Sequence, residues 1–236
     1  MATVIERHGS APGTPGQKLY LSEDDTCIGT VGGGALEREV LTALQIFVRE
    51  GNAKHEVRTF KLGAELGMCC GGRVVVMIEP IEGLVPCLIV GAGHVATAVA
   101  PLLAKLGFAV TVVDAREGFA DEARLGGDAR VRCVTAEFDE VDDVDPRGVC
   151  LVMTHDHALD QRAIEWALTR RFAYVGGVGS RAKAERTRQR LEAKGVSEDD
   201  RTRIRMPVGA DIGARLPDEI AVAIAAELVA WKKRGA

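Results

Sequence analysis

The sequence lacks the features that would place it in a membrane or on a nucleic acid. It has no apolar run of the roughly 18 residues that a membrane-spanning helix needs. Its formal net charge is −4, so no overall positive field attracts nucleic acid. The segment Met1 to Ser10 lacks the basic-then-apolar pattern of a secretory signal. We therefore expect a cytoplasmic protein that binds neither membrane nor nucleic acid.

Aromatic residues are also scarce, at 4% of the chain, so Val, Leu, Ile and Ala must build most of the core. A disulfide framework is not expected in a cytoplasmic protein. The cysteines should therefore be thiols, metal ligands or buried residues, and those in predicted strands should be core. The chain contains Cys27, Cys69, Cys70, Cys87, Cys133 and Cys150.

The segment Pro80–Pro86, with two prolines and a glycine, indicates a linker between two domains. Residues 1–80 predict a smaller α+β domain, because short strands surround a single amphipathic helix. The predicted strands are Ala2–Arg7, Lys18–Leu21, Thr26–Thr30, His55–Lys61 and Arg73–Glu79, and the helix is Ala35–Glu50.

Residues 87–236 alternate between strands and helices, which predicts a Rossmann-like, doubly wound parallel sheet. The fold class is therefore α/β. The predicted strands are Cys87–Val90, Ala109–Asp114, Arg130–Thr135, Gly148–Met153 and Phe172–Val175; the helices are Gly93–Leu106, 158–170, Ser180–Lys194 and Asp218–Lys233.

A glycine-rich turn joins the first strand and helix of this domain. Gly91 permits a tight turn, Gly93 permits close backbone approach, and the following helix N-terminus favours phosphate. Asp114 ends the second strand, where a ribose-binding acid is found in dinucleotide-binding domains. The turn therefore predicts cofactor or nucleotide binding; the alternative is a strand–helix turn without a ligand.

Two histidines flank an aspartate after the fourth strand, where doubly wound folds bind ligands. His155, Asp156 and His157 could serve as acid–base groups, metal ligands or polar anchors. Side chains at i and i+2 of an extended segment point to opposite faces, so both histidines are not expected in one metal shell. The alternative is that Asp156 caps the next helix.

A second glycine-rich turn and a long loop supply further candidates. Gly177 and Ser180 belong to a turn that could bind an anion, with Ser180 as N-cap and Arg181 as its cationic partner. The alternative is a plain turn. Asp211 and Arg215 come from the loop before the last helix. We interpret the basic run from Arg181 to Arg205 as a solvated helix face; the alternative is a specific basic patch.

The first domain contains two candidate segments. Gly32, Gly33 and Gly34 open the first helix and resemble a backbone cradle. Cys69 and Cys70 are adjacent thiols in a glycine-rich loop. Because they lack the spacing of zinc and redox motifs, we predict no metal site. They are either reactive or buried.

Taken together, these segments resemble the xanthine dehydrogenase accessory protein family (XdhC/CoxI-like). The matching stretches occur in the family's order over nearly the whole chain. They are Gly9–Gly16, Ile28–Gly34, Cys69–Arg73, Gly91–Val95 (including His94), Met153–His157, Val175–Arg181 and Asp211–Arg215. The family often has a cysteine after the first glycine triplet, where this chain has Ala35, so no role of that cysteine carries over.

The resemblance implies a maturation factor without turnover of its own. Such a protein binds molybdenum cofactor (molybdopterin) transiently, supports its sulfuration with a cysteine desulfurase, and inserts it into the apo-subunit of a molybdenum hydroxylase. The glycine turns, the two thiols and the polar residues named above are the expected cofactor-binding set. A homodimer is expected because C₂ dimers are the commonest oligomers.

Two other functions fit the same residues. An NAD(P)-dependent oxidoreductase would use the Rossmann turn, with His155 or His157 as acid–base group. Asp114 would then favour NAD over NADP, because a carboxylate repels a 2′-phosphate. The third interpretation is a nucleotide-sensing module without chemistry.

Overall fold

The computed structural model describes residues 1–22, 24–50, 54–62, 72–81, 83–142 and 144–234. The chain forms two compact units, Met1–Glu82 and Gly83–Ala236. The structure confirms the predicted fold class, with an antiparallel sheet in the first unit and a parallel sheet in the second. Among the described residues, no helix combines the length and apolar character that crossing a membrane requires.

The first unit is an antiparallel sheet with one helix against it. Its strands have the order β3-β2-β1-β5-β4. Leu36, Val40 and Leu44 recur at helical spacing on α1 and pack on alternate strand residues such as Val74 and Val76. The elements are β1 (Ala2–His8), β2 (Lys18–Leu21), β3 (Cys27–Gly29), α1 (Gly34–Arg49), β4 (Glu56–Lys61) and β5 (Arg73–Ile78).

The second unit is a six-stranded parallel sheet with the order β11-β10-β9-β6-β7-β8. Numbered within this unit, that order is 6-5-4-1-2-3, the order of dinucleotide-binding domains. The strands are β6 (Val85–Val90), β7 (Phe108–Val113), β8 (Val131–Val134), β9 (Val149–Val152), β10 (Tyr174–Gly177) and β11 (Ile204–Arg205). The helices are α2 (His94–Lys105), α3 (His157–Thr169), α4 (Arg181–Ala193), α5 (Glu198–Thr202) and α6 (Pro217–Lys233).

Helices cover both faces of this sheet, so its strands are apolar on both sides. Ile89 faces α2 and α6 in one core cluster. Its neighbours Leu88 and Val90 face α3 and α4 in the other. The sheet therefore holds the carboxyl ends of β6, β7, β9 and β10 along one edge.

Two strands have bounds that differ by two residues from the sequence predictions, and two short elements were not predicted. β6 begins at Val85, inside the predicted linker. β10 runs through Gly176 and Gly177, which were expected in a turn. The short elements α5 and β11 were not predicted, because five and two residues are too few for a clear periodic pattern.

Candidate functional site

A cavity of about 760 Å³ lies at the carboxyl edge of the parallel sheet. The order reverses between β6 and β9, and such switch points are where open α/β sheets bind ligands. We call it the switch-point cavity. Its lining residues are Gly93, His94, Val95, Arg116, Phe119, Arg124, Met153, Thr154, His155, His157, Val178, Gly179, Ser180, Lys183, Arg186, Thr187 and Arg190.

The first glycine turn brings two loops together at this point. Gly91 has a φ of 101°, and a Cβ there would lie 2.7 Å from the Met153 carbonyl oxygen. The end of β6 and the end of β9 are thus in backbone contact. Gly93 precedes α2, whose N-terminus has no side-chain cap. Its first N–H groups are therefore available to an anion.

The cavity lining is strongly basic although the whole chain is acidic. Five lining residues carry a guanidinium or ammonium group, and no described lining residue is acidic. The five cationic residues are Arg116, Arg124, Lys183, Arg186 and Arg190. Three histidines add further hydrogen-bonding groups. This charge distribution suits a ligand that carries phosphate or another anionic group.

Asp114 lies behind this lining. Its Oδ2 accepts a hydrogen bond from the Ala92 N–H at 2.8 Å. Arg116 donates from Nε to Oδ1 at 2.9 Å and from Nη2 to Oδ2 at 2.7 Å. Burial would raise the pKa of Asp114, but the hydrogen bonds from Arg116 and Ala92 outweigh it and hold the pKa at about 2. The residue that faces the cavity is Arg116.

Lys183 is fixed by a buried carboxylate. Asp160, only 2% exposed, forms a salt bridge with the Lys183 ammonium. It also accepts hydrogen bonds from the N–H and Oγ1 of Thr154, at 2.9 and 2.8 Å. The ammonium donates a further bond to the Val178 carbonyl at 3.0 Å. One aspartate therefore ties the loop after β9 to α3 and α4.

The two histidines after β9 line the same cavity, contrary to the expectation that they point to opposite faces. The extended segment ends at Asp156, and α3 begins at His157, so the i, i+2 alternation does not apply. Asp156 accepts hydrogen bonds from the N–H groups of Ala158 and Leu159, both at 2.8 Å. It is the N-cap of α3 and is not among the lining residues.

A second cavity, of about 360 Å³, borders the first at Val178 and Gly179. The loop before α6 supplies most of its wall, including Asp211. Arg181 and Asp211 form an exposed ion pair at 2.9 Å beside it. Ser180 caps α4 and lines the first cavity, as the sequence predicts.

Gly177 and Arg215 also lie outside both linings, as Gly91, Asp114 and Asp156 do. Gly177 is buried at the end of β10, where a Cβ would lie 3.2 Å from the Met206 sulfur. Arg215 is exposed, and its N–H donates to Glu219 at 2.8 Å. Neither residue therefore faces a cavity.

The glycine triplet in the first unit already holds an anion from its own chain. Gly32, Gly33 and Gly34 all have positive φ. The Glu37 carboxylate accepts hydrogen bonds from the Val31 and Gly33 N–H groups, both at 3.2 Å, and a further one from the Thr30 hydroxyl. The hydrogen bond from Thr30 lowers the pKa of Glu37, opposed by desolvation. A phosphate would have to displace this carboxylate.

The predicted thiols Cys69 and Cys70 lie outside the described residues. In the part of the chain that the structure describes, no three His, Cys, Asp or Glu side chains converge as metal ligands. Cys87 and Cys150 are buried, as predicted, whereas Cys133 is only partly buried.

Sequence reasoning missed most of the basic lining. We interpreted the run from Arg181 as solvated, but Lys183, Arg186 and Arg190 line the cavity. Their spacing of three and four residues along one helix face, directly after a glycine-rich turn, is the signal that could have indicated them. Arg116 and Arg124 carried no comparable signal, because neither lies in a motif or a helix.

The strand order, the glycine turn at the switch point and the basic cavity define a protein with a Rossmann-type ligand-binding domain. Comparison with known proteins identifies its family. The XdhC Rossmann domain matches residues 87–228, more than half of the chain. The XdhC and CoxI family matches residues 1–61. The chain therefore belongs to the XdhC family.

Individual relatives agree with this assignment. The uncharacterized protein YqeB of Escherichia coli (strain K12) is 32% identical over 98% of this chain and 43% of its own length. A Bacillus subtilis (strain 168) protein, described as a probable subunit of xanthine dehydrogenase, is 30% identical over 66% of this chain and 46% of its own length. The chain thus spans less than half the length of these curated relatives.

A solved structure shares the fold. The crystal structure described as a xanthine dehydrogenase from Bacillus halodurans matches with a TM-score of 0.56 and 20% identity, covering 100% of this chain and 91% of that chain. At this level of identity, the match shows a common fold.

Proposed function

We propose that this protein binds molybdenum cofactor in the switch-point cavity and delivers it to a xanthine dehydrogenase-type molybdenum hydroxylase. Membership of the XdhC family supports a role in xanthine dehydrogenase maturation. The name of the Bacillus subtilis relative associates it with the same enzyme. The observation that carries the proposal is the basic cavity at the switch point, which matches an anionic ligand.

The cavity fits a phosphate-bearing pterin in size and charge. Its volume of about 760 Å³ lies in the range of about 300–1,000 Å³ common for small-molecule sites. The α2 N-terminus and the five cations would hold the anionic groups. Phe119 and Met153 offer apolar surface to a ring. When bound, the cofactor supplies the molybdenum centre on which the client enzyme depends.

Sulfuration and insertion require partners. We propose a cysteine desulfurase as the sulfur source, an apo-subunit of the molybdenum hydroxylase as the acceptor, and a homodimer as the working state. Cys69 and Cys70 remain the candidate sulfur-handling thiols.

The cofactor-binding step can be measured directly. The protein is purified anaerobically and titrated with molybdenum cofactor by calorimetry. Replacing Arg186 and Arg190 together by alanine removes two exposed cations from the lining, so we expect at least about tenfold weaker binding without loss of fold. Arg130→Ala is the matched control, because Arg130 precedes β8 at the opposite edge of the sheet. The absence of cofactor binding to the unmodified protein would reject the proposal.

Delivery needs a second measurement. Cofactor-loaded protein is mixed with apo-hydroxylase, with and without a cysteine desulfurase and a sulfur donor. We expect activation of the hydroxylase to require both the protein and the sulfur source. Equal activation by free cofactor would contradict a delivery role.

An NAD(P)-dependent oxidoreductase is the second candidate. The strand order and the glycine turn at Gly91 favour it, because both are those of dinucleotide-binding domains. Titration with NAD⁺, NADH, NADP⁺ and NADPH, followed by a search for hydride transfer, separates the two functions. Dinucleotide turnover without pterin binding would favour the oxidoreductase.

A further inference from the structure

The sequence places Asp114 where a ribose-binding acid is expected, but both carboxylate oxygens already accept hydrogen bonds within the protein. They accept four hydrogen bonds, from the Ala92 N–H, the Arg116 backbone N–H and two N–H groups of the Arg116 guanidinium, which fills the roughly four acceptor positions of a carboxylate. A ribose diol at this position would have to displace one of these donors. The group presented to the cavity at the end of β7 is a cation.

The Arg116 guanidinium keeps one edge for a ligand. A guanidinium has five N–H donors in a planar fork. Asp114 takes the donor on Nε and one on Nη2. One N–H of Nη1 and the second N–H of Nη2 remain side by side at the end of the guanidinium. Two donors in one plane match two oxygens of a phosphate.

Phe119 and Arg124 complete this end of the cavity. The Arg116 guanidinium carbon lies 3.6 Å from the centre of the Phe119 ring, which restricts its movement. The Arg124 guanidinium carbon lies 4.9 Å from the same ring. Arg124 donates from Nη1 to the carbonyls of Gly118 and Phe119, at 3.1 and 2.8 Å. Its Nε and Nη2 donate to no described residue, so two cations have donors available in one place.

A second Asp-x-Arg ion pair occurs elsewhere in the chain, outside both cavity linings. Asp128 and Arg130 form the same two bonds, at 2.9 and 2.7 Å. That pair is exposed, precedes β8 and lines neither cavity. The Asp-x-Arg pairing is thus a local feature of the sequence, and only the pair after β7 is combined with an aromatic ring, a second arginine and a cavity.

We infer that Arg116 and Arg124 form a phosphomonoester subsite at the β7 end of the switch-point cavity, so that a phosphorylated ligand binds more tightly than its unphosphorylated counterpart. The phosphate could belong to the pterin side chain or to the 2′ position of a dinucleotide. The assignment of this subsite to a pterin phosphate rests on the proposed function. The preference for phosphate itself is measurable without the pterin.

The test compares NADP⁺ with NAD⁺, which differ by one phosphomonoester, in calorimetric titrations of the full chain. We expect NADP⁺ to bind at least about tenfold more tightly. Arg116→Gln should abolish this preference, whereas Arg130→Gln should retain it. Melting temperatures of both variants report on folding. If Arg116→Gln does not fold, Arg124→Gln, at an exposed position, serves the same purpose.

Equal affinity for the two dinucleotides, or an unchanged preference in Arg116→Gln, would overturn the inference. If neither dinucleotide binds, molybdopterin is compared with its dephosphorylated form instead, and equal affinity for these two would overturn the inference. A second arm identifies the source of the phosphate. If Arg116→Gln weakens binding of molybdopterin but not of its dephosphorylated form, the subsite holds the pterin phosphate. If Arg116→Gln weakens only the binding of NADP⁺, the phosphate belongs to a nucleotide. If the protein prefers NADP⁺ but binds no pterin, the phosphate subsite is supported and the proposed function is rejected.

Discussion

At the residue scale, the turn after β6 contains two glycines that differ in backbone conformation and in the space available for a Cβ. Gly91 has a φ of 101° and no room for a Cβ, whereas Gly93 has ordinary φ and open space around its Cβ position. Gly91→Ala should therefore lower the free energy of unfolding by about 2 kcal/mol or more. Gly93→Ala should change it by less than about 0.5 kcal/mol. Urea denaturation of both variants checks this, and equal stabilities would refute the assigned geometry.

Asp114 is a residue whose ionisation supports the fold. Its pKa of about 2 in the folded protein lies below the ordinary value of 3.8. The carboxylate therefore stabilises the folded state above about pH 4, and this contribution disappears as the pH falls towards 2. Asp114→Asn should cost roughly 2 kcal/mol at pH 7 and much less at pH 2.

Urea denaturation of the Asp114→Asn variant between pH 2 and pH 7 measures this difference. Asp128→Asn tests the effect of burial, because the Asp128 carboxylate forms the same arginine pair at a more exposed position and the hydrogen bond from Arg130 also lowers its pKa, to about 2. If the cost of Asp114→Asn were the same at every pH, the hydrogen-bonded carboxylate would not be its cause.

At the element scale, two ion pairs connect α3 with α4 in different environments. Asp160 is buried and Lys183 is partly buried at the cavity, whereas Glu165 and Lys194 are more exposed, with an Nζ–Oε1 distance of 2.7 Å. Asp160→Ala should cost about 3 kcal/mol, because it leaves Thr154 and the ammonium without their partner. Glu165→Ala should cost less than about 1 kcal/mol. Thermal unfolding compares them, and equal losses would show that burial does not set the difference.

The Asp160–Lys183 pair also has a functional consequence for α4. Asp160 holds Lys183 towards the cavity, while Arg186 and Arg190 reach the lining from the exposed side of the same helix. Loss of the Asp160 anchor should therefore weaken ligand binding more than loss of Glu165. Helix periodicity explains why residues three and four apart share this face.

At the scale of the whole molecule, the two units have separate cores. One core cluster contains only residues of the first unit, and two contain only residues of the second. Both cavities are lined entirely by the second unit. We therefore expect residues 83–236, expressed alone, to unfold cooperatively and to retain ligand binding. A fragment without a cooperative transition would show that its core needs the first unit.

The net charge illustrates how a whole-molecule quantity differs from a local one. The chain has a formal charge of −4, yet the switch-point cavity has five cationic residues in its lining. Composition correctly gave no reason to expect a global basic field, but it carries no information about where charges meet. The acidic residues that balance the total lie elsewhere, or behind the lining as Asp114 and Asp160 do.

Several features followed from the sequence by itself, because they depend on near neighbours along the chain. Alternating or continuous apolar residues predicted the strands, and the spacing of Leu36, Val40 and Leu44 predicted α1. The glycine turn at Gly91 was likewise a local signal. The ordered motifs also indicated the XdhC family, which the comparisons confirmed.

The tertiary structure determined which residues these turns, strands and helices contact. Strand order brought the loop after β9 against Gly91 and gathered Arg116, Arg124 and α4 around one cavity. It also showed that Glu37 fills the glycine cradle of the first unit and that Arg116 covers Asp114. These arrangements depend on contacts between residues distant in sequence and on side-chain orientation. Local periodicity and propensity do not encode either of them.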